Sequence, residues 1–232
     1  MFSHVHQTII DPDNPLDLSM AQREYLAECY RLQFPEDRDV QTNELAERLE
    51  VSPPAVVKML RRLVCDGYLT REPYRGVKLT PKGASEALKA IRRHRLLEAF
   101  LVTVMRFGWE EVHIHAHALE GSINEQFEDR MDELAGYPKR CPHGDPIPTK
   151  DGKMPILADF SLQNLAVEQS ATISRIRCKD AEKLVYLREK GLLPGRPIKV
   201  LGRAPFNGPV RIRTGQDELL LGAELASDVW VE

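Results

Sequence analysis

Seven histidines occur in the 232-residue chain, and four of them fall between His94 and His117. His94 and Glu98 stand four residues apart, while His113, His117 and Glu120 recur at i, i+4 and i+7. On helices, each set lies on one face. Imidazole and carboxylate groups on facing helices can hold a divalent ion inside a helical unit. A single helical histidine is ordinarily a solvated side chain. Five such donors on two adjacent helices instead point to metal. The alternation His113-x-His115-x-His117 also suggests a metallohydrolase, but that motif's following Asp-His is absent, and the helical reading accounts for Glu120. With no H-E-x-x-H, nucleophile elbow or phosphate-binding glycine loop in the sequence, an enzyme is not expected.

A second chemistry lies in the charge pattern. The net charge is only −3, but residues 53–82 carry seven lysines and arginines against Asp66 and Glu72, a local +5. Residues 110–136 carry eight acids against Arg130, a local −7. One segment suits a polyanion and the other suits cations.

The elements that must position these groups follow from periodicity. Residues 1–17 read as a loose arm. Ser19 to Phe34 has helical spacing, with Leu26, Cys29 and Tyr30 apolar, and Pro35-Glu36-Asp37 stops it. A second helix is expected from Thr42, as N-cap, to Leu49. A third runs from about Pro53 to Asp66 behind Ser52 as N-cap, with proline tolerated in its first turn. Val56, Leu60, Leu63 and Val64 form its buried stripe, and Ala55, Lys58, Arg61 and Arg62 lie on its other faces. Tyr68–Glu72 and Val77–Thr80 read as a hairpin turning at Pro73-Tyr74-Arg75-Gly76. That order is a winged helix-turn-helix, and it places the basic run on the reading helix rather than on an ordinary wet face.

A long helix capped by Thr80-Pro81 is expected to reach Phe107. Two more follow, Glu110–Glu120 and Asn124–Leu134, separated near Gly121-Ser122. Phe127, Met131 and Leu134 form a stripe suited to a helix–helix interface. Residues 136–157 hold five prolines and read as a linker. Beyond Phe160, short β runs at 171–176, 198–201, 210–212, 219–221 and 229–231 surround one helix, Asp180–Lys190, giving a small β-barrel-like unit.

The composition is that of a globular protein, 42% hydrophobic and 29% charged. No stretch approaches the roughly 20 apolar residues of a membrane span, and the N-terminus does not resemble a secretory signal. Cys29, Cys65, Cys141 and Cys178 are dispersed, as reduced cytosolic thiols are. A cytoplasmic location is expected.

With these pieces placed, the chain resembles the diphtheria-toxin-repressor family of metal-dependent transcriptional regulators. The segment Glu44–Leu63, with Ser52-Pro-Pro-Ala-Val-Val-Lys58 at its centre, is similar to the DNA-reading unit, and Tyr74-Arg75-Gly76-Val77-Lys78-Leu79-Thr80-Pro81-Lys82-Gly83 to the wing. Arg93-His94-Arg95-Leu96-Leu97-Glu98 and Glu111-Val112-His113 resemble the metal-binding helices. Cys141-Pro142-His143-Gly144-Asp145-Pro146-Ile147-Pro148 resembles the linker signature. Gly191-Leu192-Leu193-Pro194-Gly195 resembles the SH3-like domain of the three-domain members.

The resemblance implies a mostly α protein with a small β portion. Residues 1–83 would be a winged helix-turn-helix, 84–140 a helical dimerisation and metal-binding domain, 141–159 a linker, and 160–232 an SH3-like (FeoA-like) domain. It implies two metal sites. His94, Glu98 and His113 match the ancillary site, which an acidic residue of the SH3-like domain completes, Asp180 or alternatively Glu182. Glu24, His117 and Glu120 match the primary site. Here the chain departs from the pattern. His117 stands where relatives carry cysteine or glutamate, and Gly121 stands where a histidine ligand is usual, so Glu28, His115 or water is left to complete the set. Loss of the soft thiolate favours Mn2+ or Fe2+, with Mn2+ ahead, and Zn2+, Co2+ or Cd2+ should substitute in vitro.

The implied partners are double-stranded operator DNA and a second copy of the chain, with neither a membrane nor a small organic substrate. Base contacts are expected from Ser52, Pro54, Ala55 and Lys58 and phosphate contacts from Arg61, Arg62 and Arg75, with Thr42 also in the DNA-binding set. The implied function is repression of metal-uptake and homeostasis genes. The alternative is a winged-helix regulator that answers an organic effector.

Overall fold

The computed structural model describes residues 18–34, 36–72 and 75–232. The expected arm (1–17), Pro35 and the turn residues Pro73 and Tyr74 lie outside the described residues. The chain divides into two compact units between Ala90 and Ile91. Among the described residues, no helix is long and apolar enough to cross a membrane.

The first unit is a three-helix platform with a two-stranded wing. Ser19 and Gln22 form a capping box that opens α1 (Met20–Gln33), satisfying two otherwise orphaned N–H groups. The next helix, α2 (Thr42–Arg48), starts one residue earlier than expected: Gln41 holds the cap position and Thr42 is already helical. Ser52 does stand at the N-cap of α3 (Pro53–Cys65), but its hydroxyl makes no capping bond. The two prolines explain this. They have no N–H to offer at the first two positions, and the third N–H, that of Ala55, bonds the Ser52 carbonyl at 3.0 Å.

Strands β1 (Leu69–Glu72) and β2 (Gly76–Leu79) pair antiparallel, from Leu69 opposite Leu79 to Glu72 opposite Gly76. Leu26, Leu45, Val56, Leu60, Leu63, Leu69 and Val77 close one core beneath the helices and the wing. Val40 and Val77 exchange backbone bonds of 2.9 and 3.0 Å, which ties the wing to the segment before α2. Gly76 is required there, because a Cβ would lie 2.4 Å from the Val40 carbonyl oxygen. Thr80 caps α4 (Pro81–Thr103), its Oγ1 accepting from the Gly83 N–H.

In the second unit, α4 ends four residues before the expected Phe107. Val102, Thr103 and Val104 are consecutive β-branched residues that favour helix weakly, and Arg106 adopts a left-handed conformation (φ +64°). The Phe107 N–H then bonds back to the Leu101 carbonyl, closing the end. Val104 is consequently exposed. Helix α5 (Val112–Leu119) gives way to a 3-10 turn at Glu120–Ser122, and α6 (Glu125–Leu134) begins behind the Asn124 cap. Leu96, Leu97, Leu101, Val112, Ala116, Ile123 and Met131 pack together. The expected interface stripe is split, since Met131 is buried in this core while Phe127 and Leu134 are exposed.

The remaining elements are β3 (Phe160–Ser161), β4 (Ser170–Ile176), α7 (Ala181–Glu189), β5 (Pro197–Arg203), β6 (Val210–Thr214), β7 (Asp217–Leu221), α8 (Ala223–Asp228) and β8 (Val229–Val231). They form one antiparallel sheet in the order β3-β8-β4-β5-β6-β7 around Leu162, Ile173, Leu187, Val200 and Ile212. One helix was expected here and two are present. The second, α8, is a six-residue connection too short to show an apolar period. Residues 141–148, expected as linker, form an ordered turn with Cys141, His143 and Ile147 buried.

Candidate metal centre

Helix α4 carries His94 and Glu98 one turn apart, and α5 turns His113 toward them. His94 Nε2 lies 3.2 Å from Glu98 Oε1 and 2.9 Å from His113 Nδ1, and His113 Nδ1 lies 3.1 Å from the same carboxylate oxygen. The donor atoms of these three residues all fall within 4.8 Å of one another. Glu98 belongs to a second group as well. Its carboxylate, Cys141 and His143 also bring their donor atoms within 4.8 Å of one another, and all three residues are buried. His143 Nε2 donates to the Trp109 carbonyl at 2.8 Å, which leaves Nδ1 turned toward Glu98 Oε2 at 3.8 Å.

The two groups are extended by Glu120. One of its oxygens lies 2.7 Å from His94 Nδ1 and the other 3.2 Å from His117 Nδ1. What the sequence separates into two sites is here one chain of contacts, His117–Glu120–His94–Glu98–His113, with His143 and Cys141 on the far side of Glu98.

The electrostatics match a cation-binding cluster. Burial opposes charge on Glu98, but hydrogen bonds from His113, His143 and His94 outweigh it and hold its carboxyl well below the usual range. Burial also opposes charge on His94, yet Glu120 and Glu98 raise it to about 8. His143 moves up for the same reason, its burial outweighed by Glu98. His113 accepts the pull of Glu98 but is drawn down overall by burial and by His94 beside it. Burial pushes the Cys141 thiol well up. Two imidazole nitrogens 2.9 Å apart beside a buried carboxylate need a proton or a metal ion between them. Imidazole, carboxylate and a single thiol are a donor set that suits first-row divalent ions, so the residues fit a metal.

Residues 17–77 match the model described as the iron dependent repressor N-terminal DNA binding domain, 80–149 its metal binding and dimerisation domain, and 160–232 the FeoA domain. The chain is 30% identical over 201 residues to the iron-dependent repressor IdeR of Mycobacterium leprae, covering 81% of this chain and 86% of that protein. It belongs to the diphtheria-toxin-repressor family of metal-dependent transcriptional repressors. A member from Mycobacterium tuberculosis, also named IdeR, is 32% identical over 200 residues, covering the same shares. Among solved structures, a manganese-dependent transcriptional repressor in complex with manganese superposes with a TM-score of 0.85 at 33% identity, covering 90% of this chain and 98% of that one. ScaR with bound Cd2+ superposes at 0.77 with 31% identity, covering 91% and 98%.

Within the family pattern, the structure brings His94, Glu98, His113, His117 and Glu120 into one cluster and adds Cys141 and His143. Asp180 is not in either donor group among the described residues. It is the N-cap of α7, its Oδ1 accepting from the Glu182 and Lys183 N–H groups at 2.9 and 3.1 Å, a role that asparagine or serine could also fill. Glu182 is exposed in the first turn of the same helix. His115 is exposed with its ring against Phe107. Glu28 is buried beside Arg31 at 2.6 Å and Arg48 at 3.4 Å, the position of a neutralised structural carboxylate. Glu24 is half-buried on α1, in the first unit. Cys141 and His143 were hidden by the proline-rich composition around them. The signal that would have found them is the Cys-x-His spacing itself.

The N-cap Ser52 and, on α3, Pro54, Ala55, Lys58, Arg61 and Arg62 are all exposed, while Val56, Leu60 and Leu63 are buried. Arg62 faces Asp66 at 3.8 Å and Arg75 faces Glu72 at 3.3 Å, both in solvent, where such pairs are worth little. Thr42 is partly exposed at the start of α2.

Proposed function

We propose that the chain is a cytoplasmic homodimeric repressor that binds a two-fold symmetric double-stranded operator when Mn2+ or Fe2+ is bound in its helical region, and that it controls metal-ion uptake genes. The observation that carries the reading is Glu98, a buried carboxylate shared by two donor groups with three imidazoles and a thiol around it. A bound divalent ion would supply the positive charge that lets these lone pairs face one another. We assign His94, Glu98 and His113 to one site and Glu98, Cys141 and His143 to another, with His117 and Glu120 as further ligands. Glu24 and Asp180 keep their proposed places as ligands on the resemblance alone.

The chain's own residues do the rest. Ile114 and Leu119 on α5 and Phe127 and Leu134 on α6 are exposed apolar side chains, suited to burial against a second copy. Each copy presents one α3, and two such helices read half-sites about 34 Å apart. The DNA-competent arrangement binds metal better, so metal shifts the population toward it, and by linkage DNA tightens metal by the same factor.

The double variant His117→Ala, Glu120→Ala is expected to lose metal-stimulated DNA binding while sedimentation still shows the dimer. Unchanged stimulation would place the activating ligands elsewhere. On the DNA side, Lys58→Ala is expected to change sequence preference in competition binding. Arg75→Ala is expected to weaken all sequences alike and to lower the salt slope by about one. Equal losses on every sequence for Lys58→Ala would remove it from base contact.

A further inference from the structure

We propose that Arg175, on β4 of the SH3-like sheet, is a positioning residue for the metal centre: it holds the turn that carries Cys141 and His143 against Glu98. The proposal rests on the reading of Glu98, Cys141 and His143 as metal donors.

That turn is closed by its own backbone, the Cys141 N–H bonding the Asp145 carbonyl at 2.9 Å and the Gly144 N–H bonding the Cys141 carbonyl at 2.9 Å. Two arginines, from different elements, hold it. From α4, Arg95 donates to the Pro146 carbonyl at 2.6 Å and sits 3.7 Å from Asp145 Oδ1. From β4, Arg175 Nη1 reaches the same Asp145 oxygen at 3.0 Å. The guanidinium has little freedom. Its Nη2 donates to Asp159 Oδ1 at 3.0 Å, its Nε lies 2.8 Å from Asp159 Oδ2 as an ion-pair contact without hydrogen-bond alignment, and it lies 4.8 Å from the centre of the Trp230 ring. Asp159 is itself only 1% exposed and accepts a further bond from Ser174 Oγ. A planar guanidinium paired on one edge with a buried carboxylate is restricted in where its remaining nitrogen can point, and here it points at Asp145.

The backbone of β4 completes the grip. The Ile176 N–H donates to the His143 carbonyl at 2.8 Å. Gly144 has φ +92°, and a Cβ there would lie 2.2 Å from the Ser174 carbonyl oxygen, so the turn meets the strand backbone to backbone. Arg95 and Arg175 also pair with Asp145, so its charge is balanced within the turn. The C-terminal sheet thereby takes part in the metal centre without lending a ligand to this group. Partners that orient metal ligands typically change affinity 10–100-fold when removed.

The test is a Cd2+ titration of the full chain, read as the ultraviolet thiolate-to-Cd2+ charge-transfer absorption that Cys141→Ser removes. Arg175→Ala and the near-isosteric Asp145→Asn are both expected to weaken Cd2+ binding read at that band by about tenfold. Circular dichroism reports whether each variant folds, and Asp145→Asn decides alone if Arg175→Ala does not. Wild-type affinity at the band in the folded variants overturns the positioning role. Absence of any Cys141-dependent band in the wild type overturns instead the reading of Cys141 as a donor.

Discussion

Glu98→Gln is expected to weaken divalent-metal binding by about 100-fold at both donor groups, the upper end of what even indirect ligand partners control. The reason is that one carboxylate serves both. Its Oε1 faces His94 and His113, and its Oε2 faces His143. Glutamine keeps the shape but removes the anion and presents an NH2 group to imidazole nitrogens that must offer lone pairs. Isothermal titration with Mn2+ and with Zn2+ reads the loss directly. Metal-stimulated DNA binding is expected to vanish with it, while the dimer persists, since the exposed apolar residues of α5 and α6 are untouched. Two sites of undiminished affinity in Glu98→Gln would show that the ligands lie elsewhere.

Leu63→Ala is expected to lower the stability of the DNA-reading unit by about 2–5 kcal/mol. Leu63 is completely buried on α3, among Leu26, Leu45, Val56 and Leu60. Truncation leaves a cavity that the flanking helices and wing fill only in part. A domain's whole stability is about 5–15 kcal/mol, so the loss is a large fraction of it. The donor groups lie wholly in the other compact unit. The expected signature is therefore split: a thermal transition lowered by roughly 10 °C or more with DNA affinity lost on warming, and metal affinity of the two Glu98-centred donor groups, in the absence of DNA, near that of the wild type. Calorimetry and metal titration on the same sample check both halves. A lowered affinity at the two Glu98-centred groups without DNA would contradict the separation.

The reading unit was legible because each element carried its own signal. The apolar stripe of α3 precedes the turn at Gly67, and Val56, Leu60 and Leu63 are buried as their spacing requires, while Val64, expected with them, is only partly buried. The β runs of the C-terminal sheet were legible for the same reason, since alternation in β6 appears directly as alternating burial. Errors arose where tertiary contacts outweighed local pattern. Apolar Phe107 suggested more helix, but Arg106 in a left-handed conformation ended α4 sooner. Composition also reads 136–157 as a linker without showing that, within it, residues 141–148 bond to α4 through Arg95 and to β4 through Ile176. In the centre, spacing on one helix placed His94 with Glu98 and His117 with Glu120. It could not reveal that Glu120 touches His94, because that contact depends on how α4 and the turn after α5 pack. His143 and Cys141 lie more than forty residues beyond Glu98 in the chain, so no helical period connects them to it.

Fluorescence anisotropy of labelled promoter fragments from metal-uptake genes tests the central claim most directly. The protein is titrated with Mn2+, with Fe2+ under anaerobic conditions, and with chelator. A metal switch predicts saturable binding to particular fragments that appears with metal and is lost on chelation, with the tighter response naming the preferred ion. Equal binding in chelator would contradict it, leaving a DNA-binding winged helix whose effector is something other than a divalent ion.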